Sequence, residues 1–551
     1  MSTSALRRAL FAFSVVLLVG GPLQAADKAT SQEIAELINR HLGQAWQENN
    51  LQPAPRTSDL EFLRRSTLHL IGRIPTLEEA EAFETDPAAD KRARWVERLL
   101  AGPEYPEHWA RLWNRWVFAG TVVHPAYRDQ LEGWLKQQFA KNVSHKELAT
   151  QLLTATGKSN DNSAVHFVLA NLGGELPADK RDKDGQFTAE PVTFRSFSLF
   201  LGYQIACIQC HCHPFNSEWK QPQFWQLNAF FRQMERKGIP PAPDAPLDTA
   251  PVLELLDNPE FNKNGMVFYE KRNSMWLATE AKFLGHPLPR DFKGTRRDAF
   301  ARRLTAHDQF SKALVNRLWG QFFGRGLNVR STVDDFGEHN EVIHPELLAK
   351  LAKAFTGSSH DYKQLIHGIC ASDAYQLRST ANLSNEPEEA EPYFSRMLAP
   401  ALSFDATFDS VWTGARLADL LSAPEKEKLR KKWRKFLHAE FTEEVTFFPP
   451  LPEADPWRRM LLLMNNEEIH DALNDPSKGI MKAARERGSP EKIADALYLA
   501  VLTRHPTPAE KKRLNQEIGQ ERQRSKDGDL SALWQDLFWV LLNSNEFIVN
   551  H

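Results

Sequence analysis

The chain has only four cysteines in 551 residues, too few to staple a molecule of this size with disulfides. Beyond the first 25 residues no apolar run reaches spanning length, so the mature chain is expected to carry no membrane-crossing helix. Neither sign of charge dominates. Without residues 1–25, which hold two arginines and no acidic side chain, 66 basic residues face 71 acidic ones. That balance gives no blanket basic surface and excludes a general nucleic-acid-binding footprint. The nucleophile elbow, the zinc-protease pair, the phosphate loop and the dinucleotide fingerprint are also missing. What the chain has in plenty is apolar bulk: 42% hydrophobic residues, with 15 tryptophans and 34 phenylalanines. These are expected to build large aromatic cores.

The first residues read as a processing signal. Arg7 and Arg8 precede an apolar run over 9–20, and Ala25 and Ala26 offer small residues for cleavage. Residues 1–25 therefore read as a secretory signal peptide, and the mature protein as periplasmic or secreted. No cysteine stands at that point to carry a lipid anchor.

Most of the chain after residue 29 has helical periodicity. Thr30 and Glu33 form a capping-box pair, with Ile34, Leu37, Ile38 and Leu42 behind them. Leu60, Leu63, Thr67, Leu70 and Ile71 make a second stripe that stops at Gly72, and Thr76 with Glu79 reopens a helix. Trp109, Leu112, Trp113 and Trp116 share a face best suited to core packing. Phe194, Phe197, Leu201, Ile205 and Ile208 predict a helix running to the cysteine cluster, where Pro214 ends it. Another helix is expected from Pro222, carrying Phe224, Leu227 and Phe231 inward. Prolines 240, 241, 243, 246 and 251 then mark an extended linker. Residues 264–284 hold the best strand candidates and admit a small β-hairpin. From Arg296 the helices resume, with proline at the first turn after His344, Ser489 and Thr507.

The chemistry concentrates at 207–213, where Cys207, Cys210, His211, Cys212 and His213 fall within seven positions. Cys207, Cys210 and His211 form a C-x-x-C-H string. Two cysteines three apart on one turn can reach both vinyl groups of a porphyrin edge, and the next histidine can ligate the iron. Covalent haem attachment takes place on the exported side of a membrane, where the signal peptide would deliver the chain. Other readings stay open. Zinc would draw on Cys207, Cys210, Cys212 and His213. A disulfide would join Cys207 to Cys210, or Cys212 to the distant Cys370. If haem is bound, Met234, Met266, Met275, His108 and His166 are the candidates for its second axial ligand. Elsewhere, Asp334 and Asp335 with His339 and His344 read as turn or cap residues before they read as a polar site. Asn316, Arg317 and Arg325 suit either anion binding or buried ties between helices.

Several stretches together resemble a known pair of domains. "FLRRSTLHLIGRIPTLEEAEAF" (62–83), "DKRARWVERLLAGPEYPEHWARLW" (90–113) and "LGYQIACIQCHCHPF" (201–215) are similar to the planctomycete-type secreted cytochrome-like domain of unknown function. "FSKALVNRLWGQFFGRGL" (310–327), "DDFGEHNEVIHPELLAKLA" (334–352), "ALYLAVLTRHPTPAE" (496–510) and "LLNSNEFIVNH" (541–551) resemble its companion planctomycete secreted C-terminal domain. The resemblance implies an exported protein without an established reaction, whose cytochrome label rests on the C-x-x-C-H string. The family has an acidic or amide residue between the two histidines of its C-H-x-H-P-F run, where this chain has Cys212.

The expected architecture is mainly α: a helical domain over 30–235 carrying the C-x-x-C-H, a Pro-rich linker with a hairpin over 236–295, and a second helical domain over 296–551. The leading functional expectation is an exported monohaem c-type redox protein. Cys207 and Cys210 would hold the haem and His211 would be the proximal ligand, serving an exported redox partner or acting as a haem-dependent oxidoreductase. The alternative is a non-haem binding or scaffold protein whose Cys/His cluster is a disulfide or zinc site. A hydrolase acting on extracellular polymers is a third reading, with little in the residues to favour it.

Overall fold

The computed structural model describes residues 30–119, 121, 123–240, 249–289, 291–330, 332–438, 465–475, 477–525 and 528–550. The proposed signal peptide and Pro241, Pro243 and Pro246 lie outside them. The fold is mainly α, with small antiparallel sheets in the middle of the chain. Among the described residues no helix is long and apolar enough to cross a membrane.

Local chemistry sets the helix starts. At helix Ser31–Glu48 the Thr30 hydroxyl accepts the Glu33 N–H at 3.2 Å, and the Glu33 carboxylate takes the Thr30 N–H in return. Thr76 with Glu79 and Thr507 with Glu510 repeat this box at Leu77–Thr85 and Pro508–Arg524. Ile34, Ile38 and Leu42 then turn inward. Helix Asp59–Ile71 ends at Gly72, whose φ of +72° places it in the left-handed region.

Residues of the first 230 and the last 260 positions share one continuous core. Helix Ser31–Glu48 packs on Pro345–Gly357 and Tyr362–Ala371, His145–Thr154 on Arg296–Thr305, and Glu190–Leu201 on Asp308–Phe323. The aromatic face of Glu104–Val117 joins the halves: Trp109 stacks on Phe322 at 6.5 Å, and Trp113 meets Tyr362 edge-on at 6.3 Å. Buried arginines tie the seam with hydrogen bonds to carbonyls that helices and strands leave unused. Arg64 donates to the carbonyls of Val501 and Phe547, and Arg65 to those of Tyr375 and Leu377. Arg297 grips the Asp257 carboxylate and the carbonyls of Leu153 and Ala155.

Two expectations need revision. Helix Glu190–Leu201 stops at Gly202, short of the cysteine cluster. Gly202 has φ +67°, the left-handed cap that ends a helix, and a Cβ there would lie 2.7 Å from the Phe336 ring, so packing from the second half of the chain requires glycine at the stop. The apolar periodicity through Ile205 and Ile208 continues because both side chains are buried by a 3-10 turn, Ala206–Gln209. The second revision concerns the Pro-rich stretch, which is flanked by paired strands. Met234–Ile239 runs antiparallel to Val252–Asp257, in register from Met234 opposite Asp257 to Ile239 opposite Val252, and Gly157–Lys158 adds the other edge. The hairpin is present: Met266–Glu270 pairs with Trp276–Glu280.

This packing has two measurable outcomes. Gly202→Ala combines a strained φ with a clash against Phe336, and should lower stability by about 1–3 kcal/mol in denaturant titration; an unchanged midpoint would contradict the packing. Burial also holds several histidines neutral. Their pKa falls from the usual 6.5 to about 4 at His166, His344 and His360 and to about 3 at His69 and His108. The unfolded chain therefore binds protons that the folded one refuses. This contribution is complete above pH 6.5 and is lost as pH falls toward 4, and toward 3 for His69 and His108, by up to about 1.4 kcal/mol per pH unit for each site. Melting temperature should be flat above about pH 7 and decline steadily below about 6.5. A flat profile down to about pH 5 would be the contrary result.

Candidate functional site

The cysteine loop is held from both sides. Beneath it, the Arg317 guanidinium, 3% exposed, donates to the carbonyls of Leu199 and Ser198 at 2.5 and 3.2 Å and to Asp334 Oδ1 at 2.6 Å. It thus satisfies the last carbonyls of helix Glu190–Leu201 and fixes the 334–341 turn against them. Two more hydrogen bonds continue the seam: Phe336 N–H donates to the Gly202 carbonyl at 2.8 Å, and Gln204 Nε2 donates to the Asp334 carbonyl at 2.8 Å. On the other side, the Gln209 carbonyl accepts from Gln221 Nε2 and from Trp225 Nε1, both at 3.1 Å. The loop closes where His213 N–H meets the Trp219 carbonyl, and Trp219 packs on Phe197 and Tyr203.

On this frame Cys207 and Cys210 lie at one 3-10 turn, Cys207 half-buried and Cys210 exposed. The Cys207 Sγ–H points to the Gln204 carbonyl at 3.9 Å. Burial raises its pKa, and the negative charge of Asp335 adds to the rise. The next residue, His211, is half-exposed, and its Nδ1 lies 2.5 Å from the Cys212 carbonyl. A carbonyl can only accept, so Nδ1 carries a proton, and in the neutral ring that leaves the lone pair on Nε2, the tautomer that ligates a metal through Nε2.

His213 is differently placed. Its Nε2–H donates to the Gln204 carbonyl and its Nδ1 accepts the Phe215 N–H, each at 3.2 Å. Burial lowers its pKa. With both ring nitrogens on backbone groups, His213 would have to break loop contacts to bind zinc. Among the described residues no group of three or more His, Cys, Asp or Glu side chains is placed to take a metal ion. Cys212 is exposed, whereas Cys370 is 1% exposed in the core, where burial drives its thiol pKa well up. All four cysteines are free thiols in this structure.

The second half of the chain adds side chains to the loop. His339 Nε2–H donates to Asp335 Oδ2 at 2.8 Å. Its ring lies 6.0 Å from that of His213 and 5.0 Å from that of Phe215. Asp335 and His339 thus stand beside the cysteine loop. Asp334 is committed to Arg317, and His344 is remote in role, donating to the Pro392 carbonyl. Asn316 and Arg325 prove to be internal ties, Asn316 to Asn328, Leu327 and Val333, and Arg325 to the carbonyls of Asn328 and Val329. Of the axial-ligand candidates, His108 is sealed under Gly72 and His166 stacks on Tyr127 at 4.8 Å. Met234 is buried, Met266 is half-buried and Met275 is exposed on the hairpin. No local pattern pointed to the pairing of His339 with this loop, because the two lie more than 120 residues apart in sequence.

A mainly helical chain with an accessible C-x-x-C-H turn, clamped between two sequence segments, is the class of protein these features define. Residues 37–236 match the family model PSCyt2, described as a protein of unknown function (DUF1549), and residues 296–440 match PSD1, described as a protein of unknown function (DUF1553). The loop lies in the first match, and Arg317, Asp334, Asp335 and His339 lie in the second. No curated protein and no solved structure matches the chain.

Accessibility predicts an order of thiol reactivity. In protein made without haem-attaching machinery, a thiol reagent should modify Cys210 and Cys212 quickly and Cys207 slowly, and Cys370 only after unfolding. Rapid modification of Cys370 in the native state would contradict the burial described above.

Proposed function

We propose that the protein is an exported monohaem c-type cytochrome-like redox protein, acting in electron transfer or as a haem-dependent oxidoreductase. The observation that carries this reading is the state of the C-x-x-C-H turn. Cys210 is exposed and Cys207, three residues before it on the same turn, is half-buried, and the adjacent His211 has its Nδ1 on the Cys212 carbonyl. That donor set suits covalent haem, and the name of the matching domain points the same way.

In this reading Cys207 and Cys210 would hold the haem through thioethers, and His211 would be its proximal ligand. The bound haem supplies one-electron chemistry. The chain's own residues supply position. Arg317 and Gly202 fix where the turn begins, and Gln221 and Trp225 hold its far end through the Gln209 carbonyl. The Cys212 carbonyl sets the imidazole tautomer. Asp335, which accepts from His339, places negative charge close to the attachment turn. Export through the N-terminal signal would bring the chain to the compartment where c-type haem is attached.

The test is a pyridine haemochrome spectrum of the mature protein, co-expressed with a c-type maturation system, beside a Cys207→Ala/Cys210→Ala variant. A c-type band in the parent that is absent from the variant is expected. A colourless parent from a host that matures a control cytochrome would overturn the proposal and leave the cluster as a staple or zinc site.

A further inference from the structure

The hairpin Met266–Glu270/Trp276–Glu280 has an outward face whose large apolar side chains are exposed among the described residues. Its register puts Val267, Tyr269, Leu277 and Thr279 on one side and Phe268, Glu270, Trp276 and Ala278 on the other. The inner side is firmly seated: Val267 is buried, and Tyr269 stacks on Trp225 at 5.9 Å and 10°. On the outer side Phe268 is 39% exposed and Trp276 64%, and Met275, in the turn beside Trp276, is 50% exposed. Every other tryptophan whose side chain is described is buried or half-buried. Residues 270–276 are all exposed, so the tip projects from the surface.

The charge around these apolar groups is mostly of one sign. Lys271 and Arg272 sit in the turn, and neither pairs with a carboxylate among the described residues. Lys183 lies over the Phe268 ring at 4.5 Å. Of the two carboxylates on the same face, Glu280 is held by Lys282 at 3.5 Å, which leaves Glu270 against three cations. We propose that this hairpin tip is a membrane-surface contact, seating Trp276 and Met275 in the interface of a bilayer that contains anionic lipid. Indole rings favour the headgroup level, where one edge is apolar and the N–H is wet. Lys271 and Arg272 are drawn to anionic headgroups, and their stems lie along the apolar boundary. The contact is peripheral and needs no spanning helix. It is independent of haem, but it has a consequence for the cysteine loop. Gln221 Nε2 donates to both the Glu270 carbonyl at 2.8 Å and the Gln209 carbonyl at 3.1 Å, so a seated hairpin carries the loop to the same surface.

The experiment is co-sedimentation of the mature protein with vesicles of phosphatidylglycerol and phosphatidylethanolamine, and with vesicles of phosphatidylcholine alone. Tryptophan emission is recorded in parallel, and melting temperatures confirm that each variant is folded. Partition should require phosphatidylglycerol and weaken with salt. Lys271→Ser/Arg272→Ser should reduce it on the order of thirtyfold. Met275→Ser/Trp276→Ser should abolish it, and Trp276→Phe should remove the blue shift seen with vesicles. Absence of partition by the folded parent would overturn the proposal, as would partition that neither double variant changes. Self-association lost in Met275→Ser/Trp276→Ser, without vesicle binding, would overturn it too and assign the tip to a second copy of the chain.

Discussion

The Arg317 guanidinium is the constraint on which the candidate site depends. It reaches from a helix in the second half of the chain to the last carbonyls of helix Glu190–Leu201 in the first half, and holds Asp334 beside them. Helix ends leave carbonyls without partners, and a buried charge without partners is expensive, so each satisfies the other. Asp334 completes the charge balance and positions the turn that carries Phe336, Asp335 and His339. Phe336 then fills the space beside Gly202, which turns the chain out of the helix and into the cysteine loop. Charge pairing, helix termination and the placing of the loop are one linked arrangement.

The same logic recurs through the molecule. Arg64, Arg65 and Arg297 are each 1% exposed or less, and each donates to carbonyls or a carboxylate from distant sequence. Aromatic stacking between Trp109 and Phe322, and edge-on packing between Trp113 and Tyr362, seal the surface between these ties. The two family segments are therefore tied through one shared core, and the loop lies where they meet. A redox group attached to Cys207 and Cys210 would be supported by both segments, because Gln204 and Gly202 on one side bond to Asp334 and Phe336 on the other.

Much of the helical framework was legible in the sequence because helix starts and stops are local chemistry. Thr30 with Glu33, Thr76 with Glu79 and Gly72 need only their near neighbours to act. The aromatic face of Glu104–Val117 was legible as core for the same reason, since its spacing alone determines which side chains share a face. The early stop at Gly202, a left-handed cap of the same kind as Gly72, was masked because buried Ile205 and Ile208 keep the apolar rhythm of a helix, and the packing of Gly202 against Phe336, more than 130 residues away, leaves no local trace. The strands Met234–Ile239 and Val252–Asp257 were hidden by the prolines between and beside them. At the candidate site the C-x-x-C-H chemistry was visible as a string, but its setting was not. The carbonyl that orients His211, the double engagement of His213 and the approach of Asp335 and His339 are all properties of the folded chain.

The measurement that bears most directly on this account is the intact mass of the mature protein purified from a host that attaches c-type haem, together with mapping of the peptide that spans 202–219. The account predicts the mass of the chain plus one haem, with the addition on Cys207 and Cys210 and with Cys212 still open to alkylation. The mass of the bare polypeptide, with Cys207 and Cys210 both alkylated, would contradict it.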